Sequence, residues 1–191
     1  MARTKEFDPE KALLQAVDLF WTRGYARASL DDLMQAMGIA RQSLYDTFGD
    51  KRQLYLRALA LYRDQKLAAI RAHFPESKSV REGFRDLFFS IASENKSQLH
   101  RGCLLLSASL ERGPEDEEIA EILREHQKSV EAAFREAIER AQKSNEISRK
   151  KDAADLARFF SATIEGMRIL ARTQPKRKLL ESIADTALTV L

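Results

Sequence analysis

The stretch MGIARQSLYDTFGDKRQLY, Met37 to Tyr55, sets a glycine turn before eight polar and aromatic residues, then a second glycine and the basic start of a further helix. Leu44 and Phe48 stand four apart, which puts both on one face of a helix from Arg41 to Phe48. With Ile39 just upstream, that face is predicted to pack on Leu33, Met37, Val17 and Phe20. The remaining face carries Arg41, Gln42, Ser43, Tyr45, Asp46 and Thr47. Two short helices joined through Gly38, the second apolar on one side and rich in hydrogen-bonding groups on the other, describe a helix-turn-helix. Donors and acceptors of this kind read base edges in a major groove, while hydroxyls and cations hold phosphates. The plainer alternative is a solvated polar helix in an ordinary bundle, because the motif alone has many false matches.

Working outward, prolines and glycines make the helices countable. Asp8 before Pro9 reads as an N-cap followed by a first-turn proline. Leu13, Leu14, Val17, Leu19, Phe20 and Trp21 then give an apolar face, and Gly24 stops the helix. Ser29 caps a second helix, whose Leu30, Leu33, Met34 and Met37 recur at helical spacing before Gly38. After the Arg41–Phe48 helix, Asp50 caps a fourth that runs to about Phe74, ahead of Pro75. Helical patterns continue over Ser79 to about Asn95, Gly102 to Leu110, Asp116 to about Lys143, Ala153 to Arg172 and Lys176 to Leu191. No stretch reads as a strand, and no repeat or low-complexity tract breaks the pattern. The expectation is an all-α chain of about nine helices, with a three-helix amino-terminal head over residues 1–50 and a larger helical body over residues 51–191.

Composition narrows the classes of function. A chain of 191 residues, 44% hydrophobic and 32% charged, reads as a soluble globular protein. No uncharged apolar run approaches the roughly 20 residues of a membrane span, and MARTKEFDPE lacks the apolar segment of a secretory signal, so no membrane partner and a cytoplasmic location are expected. With Cys103 alone, no intrachain disulfide and no cysteine-based zinc cluster can form. The net charge of +3 sits in residues 1–75, where 12 Lys+Arg face 9 Asp+Glu, leaving 20 against 20 in residues 76–191. That excess suits a polyanionic partner at the amino-terminal end. Catalytic patterns are missing: His73, His100, His126 and Cys103 are accompanied by no nucleophile elbow, phosphate-binding glycine loop or zinc-binding His pair, and His73 reads as sitting near a helix end and His126 as solvated. Glu115 to Glu118 reads as the acidic first turn of a helix rather than a metal site. No enzyme, cofactor or metal is expected, with a thiol-dependent enzyme kept as the competing class.

The longer stretch ASLDDLMQAMGIARQSLYDTFGDKRQLY resembles the helix-turn-helix of TetR-type transcriptional regulators. Gly24-Tyr25, Ser29, Gly38-Ile39, Leu44-Tyr45, Phe48, Lys51 and Leu54 fall in register over Phe7 to about Leu59, and the rest of the chain matches in length and helix order. The resemblance implies a homodimeric, ligand-responsive repressor of double-stranded operator DNA. It makes Ser29 a phosphate contact as well as a cap, Gln42 and Ser43 the candidates for base edges, and Arg41 a contact to guanine or phosphate. Tyr45 matches the family tyrosine that bonds the DNA backbone, and Lys51 would hold a phosphate with help from the helix dipole. Arg3 and Lys5 would form a short basic arm reaching phosphates or a minor groove, the alternative being a frayed terminus. Thr47 stands where the family more often has His or Tyr, and Asp31 where some relatives have a base. Asp46 is repelled by phosphates unless it accepts from a cytosine amine or selects against other bases.

Two half-sites require two heads about 34 to 36 Å apart. Phe160, Ile164, Met167 and Leu170 with Leu179, Leu180, Ile183 and Leu188 offer the apolar surface for a seam, Gly166 permits close approach, and the resemblance assigns these last two helices to a four-helix dimer interface. Phe84, Phe88, Leu105, Phe134, Ile138 and Phe159 are then the candidates to line an effector cavity, with ordinary core as the alternative for each. Cys103 joins them, since the preceding His100 and Arg101 and a helix amino terminus would lower its thiol pKa and make it a redox or electrophile sensor, the alternative being a small buried hydrophobe. A DNA-bound architectural protein without effector is the remaining non-enzyme class.

Overall fold

A computed structural model describes residues 7–113 and 115–191, the side chain of Lys96 excepted. Arg3 and Lys5 lie outside the described residues. Ten helices and no strand are present among the described residues: α1 (Pro9–Arg27), α2 (Leu30–Met37), α3 (Arg41–Phe48), α4 (Lys51–Arg71), α5 (Val80–Ala92), α6 (Lys96–Arg101), α7 (Leu104–Glu111), α8 (Glu117–Lys143), α9 (Ala153–Thr173) and α10 (Arg177–Leu188). The short α6, between the helices expected to end at Asn95 and to begin at Gly102, is the addition to the sequence pattern. Its start is written in a capping box, Asn95 with Gln98.

Local chemistry sets the boundaries. The Asp8 carboxylate accepts the N–H groups of Glu10 (2.9 Å) and Lys11 (3.3 Å) ahead of Pro9 at the first turn. Gly24, expected to stop the first helix, instead interrupts α1 at φ 77° and ψ 169°, after which the helix resumes to Arg27, and only its missing Cβ makes that backbone inexpensive. Ser79 and Glu82 form a second capping box at α5, and Asp152 caps α9 through the Asp155 N–H. His73 lies in the turn after α4, as expected, whereas His126, expected in solvent, is half-buried on α8.

The described chain divides into two compact units. The first comprises the chain up to Asp64 together with Cys103–Leu123. Its core joins Ala16, Val17, Phe20, Leu33, Leu44, Phe48, Leu54, Tyr55 and Leu59 to Leu104, Leu105, Ala108 and Ile119, and α1 packs on both α2 and α7. The expected head of residues 1–50 is therefore drawn larger by packing, because α7 and the first turn of α8 bury their apolar side chains against it. The second unit comprises Gln65–Gly102 and Arg124–Leu191. There α10 packs on α5 and α9, and the rings of Phe74, Phe84, Phe88, Phe134 and Phe160 interlock, with Phe84 and Phe160 stacked at 4.0 Å.

Candidate nucleic-acid interface

An eight-residue helix is marginal on its own in water, so α3 owes its position to packing. Leu44 and Phe48 are buried in the first core with Ile39, Leu33, Met37, Val17 and Phe20, the contact set expected from their spacing. Each such side chain removed from water contributes roughly 1.5–3 kcal/mol. The turn before α3 is made by Gly38, left-handed at φ 66°, whose N–H bonds the Gln35 carbonyl (3.4 Å) while the Ile39 N–H bonds that of Met34 (3.2 Å). Doubly bonded turns of this type end helices sharply and fix the direction in which the chain leaves them. At the other end of α2, the Ser29 hydroxyl accepts the Asp32 N–H (3.0 Å) and donates to the Asp32 carboxylate (2.6 Å). Asp32 also pairs with Arg23 at 2.6 Å, and the Ser29 hydrogen bond first, Arg23 second, hold its carboxyl below the usual range.

With the apolar side fixed, the other side of α3 is presented outward. Arg41, Gln42, Tyr45 and Asp46 are exposed, and Ser43 and Thr47 are half-buried. Arg41 lies 3.5 Å from Asp31. Asp46, the residue hardest to place beside phosphates, accepts a hydrogen bond from the Gln42 side-chain amide at 2.8 Å. Its partner is thus the neighbouring candidate base reader, one helical turn back. Arg57 carries no signal in the sequence: its guanidinium donates to the Thr47 carbonyl (2.9 Å) and lies over the Phe48 ring, bracing the end of α3 from α4. Only the tertiary fold reveals it, since its partners lie nine and ten positions back, across a turn.

The start of α4 carries two adjacent cations with different surroundings. Asp50 caps the helix by accepting the Gln53 N–H at 2.8 Å. Arg52 is held by buried Asp116 through two bonds of 2.9 and 2.8 Å and pairs as well with Glu118. Lys51 instead sets its ammonium 4.5 Å from the centre of the Tyr25 ring, and partial burial pushes its pKa below the ordinary lysine value against the opposing pull of Glu111.

The residues expected round an effector separate. Phe84, Phe88, Phe134 and Ile138 are buried in the second core, where the rings fill the space between them. Cys103 and Leu105 belong to the first core: Leu105 is buried within it, and Cys103, the N-cap of α7, is half-buried against it. Phe159 joins neither, being 43% exposed on α9. It lines a groove of about 380 Å³ with Thr163, Gly166, Met167, Leu170 and Ile183. Phe160, expected at a seam, points the opposite way and is fully buried on Phe84. One residue along a helix turns the side chain by about 100°, which is why the Phe159-Phe160 pair faces opposite to the sequence expectation. Leu180, Leu188 and Met167 are likewise buried in their own core, Met167 also lining the groove, while Ile164, Gly166, Leu170, Leu179 and Ile183 stay half-exposed. No group of three or more His, Cys, Asp or Glu able to hold a metal occurs among the described residues, and no helix among them is long and apolar enough to cross a membrane.

A helix-turn-helix with its reading face outward, joined to an all-helical body, defines a class of DNA-binding proteins, and comparison with known proteins makes it specific. Residues 12–58 match the model of bacterial regulatory proteins of the tetR family, and residues 84–187 that of the tetracyclin repressor-like C-terminal domain. The uncharacterized HTH-type transcriptional regulator YezE of Bacillus subtilis is 33% identical over the whole of both chains. The HTH-type transcriptional repressor ComR of Escherichia coli is 34% identical over 97% of this chain and 90% of its own. The regulator CifR, solved as a cysteine mutant complexed with a 26-base-pair operator DNA, superposes with a TM-score of 0.85 at 33% identity over 98% of each chain. The chain belongs to the TetR family and is a DNA-binding transcriptional regulator.

Proposed function

We propose that the protein is a repressor that occupies a near-palindromic operator as a homodimer and is released by a small molecule or by modification of Cys103. The observation that carries the reading is the outward polar face of α3, pinned from behind by Leu44 and Phe48. In this arrangement α3 lies in the major groove, with Gln42 and Ser43 at base edges and Arg41 at a guanine or phosphate. Tyr45, Thr47, Ser29 and Lys51 hold the backbone, and Asp46 acts through Gln42. The second head comes from a second copy, seated on the α9–α10 groove lined by Phe159, Gly166, Met167, Leu170 and Ile183. The repressing sense follows ComR, and the duplex partner follows CifR.

Release requires an effector that binds the DNA-free arrangement more tightly than the bound one. Phe84, Phe88, Phe134 and Ile138 are proposed as its contacts, which requires the interlocked rings to part. For Cys103, iodoacetamide labelling of the native protein faster than a model thiol supports a sensor, and labelling no faster assigns it to packing. The reading as a whole is tested by fluorescence anisotropy on the DNA upstream of the protein's own coding region across a salt series. Nanomolar, sequence-selective binding that weakens steeply with salt is expected. No preference over mixed-sequence DNA would overturn it.

A further inference from the structure

Three charged side chains converge on Tyr25, and two of them, Glu111 and Arg112, come from the far end of the amino-terminal unit. Glu111, the last residue of α7, accepts the Tyr25 N–H at 3.2 Å and the Ala26 N–H at 2.9 Å. Those donors are turned outward by the Gly24 interruption of α1, where the helix can no longer satisfy them. A Cβ at position 24 would stand 3.2 Å from the Glu111 carboxylate, so the glycine admits both the backbone angle and the approaching acid. The Tyr25 ring packs against Phe20 and Tyr55, with the Lys51 ammonium at 4.5 Å and the Arg112 guanidinium at 5.2 Å from its centre.

We infer that Glu111 is a positioning residue for DNA binding: by fixing the backbone of Tyr25 it sets the ring on which Lys51 rests, and so holds that ammonium ready for a phosphate. The inference rests on the reading of Lys51 as a phosphate contact. A lysine side chain has large rotamer freedom to lose when it binds, and a cation–π contact made beforehand removes part of that loss. Glu111 lies outside residues 12–58, the segment that matches the DNA-binding family model. Motif reading therefore assigns it nothing.

Charge and position pull in opposite directions here, which makes the sign of the effect diagnostic. If Glu111 acted only as a negative charge near Lys51, its removal would tighten binding to DNA. As a positioning residue, its removal weakens binding. The experiment is anisotropy titration of mixed-sequence duplex DNA by the full-length protein over a salt series, for wild type, Lys51→Gln, Glu111→Gln, Glu111→Asp and the Lys51→Gln/Glu111→Gln double variant. Lys51→Gln is expected to cost roughly tenfold in affinity and to flatten the slope of log K against log salt by about 0.9 per head. Both Glu111 variants should lose most of the same affinity and slope, and the double variant should be no weaker than Lys51→Gln alone. A partly unfolded variant lowers the active fraction without changing the slope, and Glu111→Asp keeps the charge, so misfolding does not imitate the result. Tighter binding by Glu111→Gln, or additive losses in the double variant, would overturn the inference while leaving Lys51 its role. An unchanged slope for Lys51→Gln would overturn the phosphate reading itself, and the inference with it.

Discussion

Replacing Asp46 by alanine separates two roles for a carboxylate on the reading face. The Gln42 amide offers two N–H donors and one carbonyl acceptor. Asp46 takes one donor at 2.8 Å and leaves one donor beside one acceptor. That remainder matches adenine, which shows an acceptor at N7 and a donor at N6, and mismatches guanine, which shows acceptors at both N7 and O6. Bidentate base contacts discriminate by about 1–3 kcal/mol, and an exposed pair one helical turn apart holds its geometry by only about 0.2–0.5 kcal/mol before DNA binds. Asp46→Ala should therefore relax the preference for adenine over guanine by up to about 0.5 kcal/mol, or ~2-fold, rather than abolish it. At the same time the lost negative charge, if a phosphate stands roughly 8 Å away, should strengthen binding to any duplex by about 0.5 kcal/mol per head in high dielectric. Anisotropy titrations of two operators differing by A·T against G·C at the Gln42 position, with mixed-sequence DNA as reference, read both effects. The expected signature is opposite in sign: weaker discrimination, tighter general binding. If Asp46 instead reads a cytosine amine directly, the adenine–guanine ratio stays as in wild type and selectivity is lost at a different base pair. An unchanged ratio would refute the orienting role.

Other perturbations test the packing. Phe160→Ala should cost about 3–5 kcal/mol of unfolding free energy, because it empties the centre of a ring cluster, whereas Phe159→Ala should cost the monomer under about 1 kcal/mol and weaken self-association in sedimentation analysis; the reverse order would contradict the facing assigned to the two rings. The Tyr55 hydroxyl is buried with no hydrogen-bond partner among the described residues, and burial pushes its pKa up, so Tyr55→Phe should raise stability in urea titration by about 1 kcal/mol; destabilisation would mean that a bound water satisfies it. Burial first, and Lys78 second, hold His73 below the ordinary histidine value of 6.5 against the opposing pull of Asp86. The unfolded chain then binds the proton more tightly, so this contribution to stability is complete above pH 6.5 and is lost as pH falls below it. His73→Gln should flatten the fall in stability on acidification below pH 6.5, before the carboxylates Asp32, Asp86 and Asp116, held below 3.8, begin to lose theirs.

The sequence carries most readily those features whose physics is local. Asp8, Ser29, Asp50, Ser79 and Asp152 announce helix starts because a side-chain acceptor two or three residues away meets an orphan N–H. Gly38 announces the end of α2, and Gly24 the interruption within α1, because their backbone angles are costly for any other residue. Leu44 and Phe48 announce the buried side of α3 because four residues return a helix to the same face. The features that stay hidden depend on contacts between distant segments. An adjacent pair such as Phe159-Phe160 gives no hint of which ring faces inward, and Leu105 reads equally well as lining a cavity or as core of the head. Glu111 meets Tyr25 and Ala26 across 86 and 85 positions, and no period or motif connects them.

Ion pairs within the amino-terminal unit bear on how a head with a net excess of only a few charges would select one sequence in the proposed complex. Arg23 is paired with Asp32, Arg41 with Asp31, and Arg52 with Asp116 and Glu118. Each pairing takes a cation partly out of the field that attracts any duplex regardless of sequence. The general attraction is thereby reduced, and a larger share of the binding energy must come from contacts that depend on fit. In the proposed complex Gln42, oriented by Asp46, would supply the base edge, and Lys51, resting on Tyr25, the phosphate contact that sets its register. Asp31 and Asp46 on the reading side are then not misplaced acids. In the proposed complex they would lower affinity for every sequence and so raise the relative value of the few contacts that distinguish one.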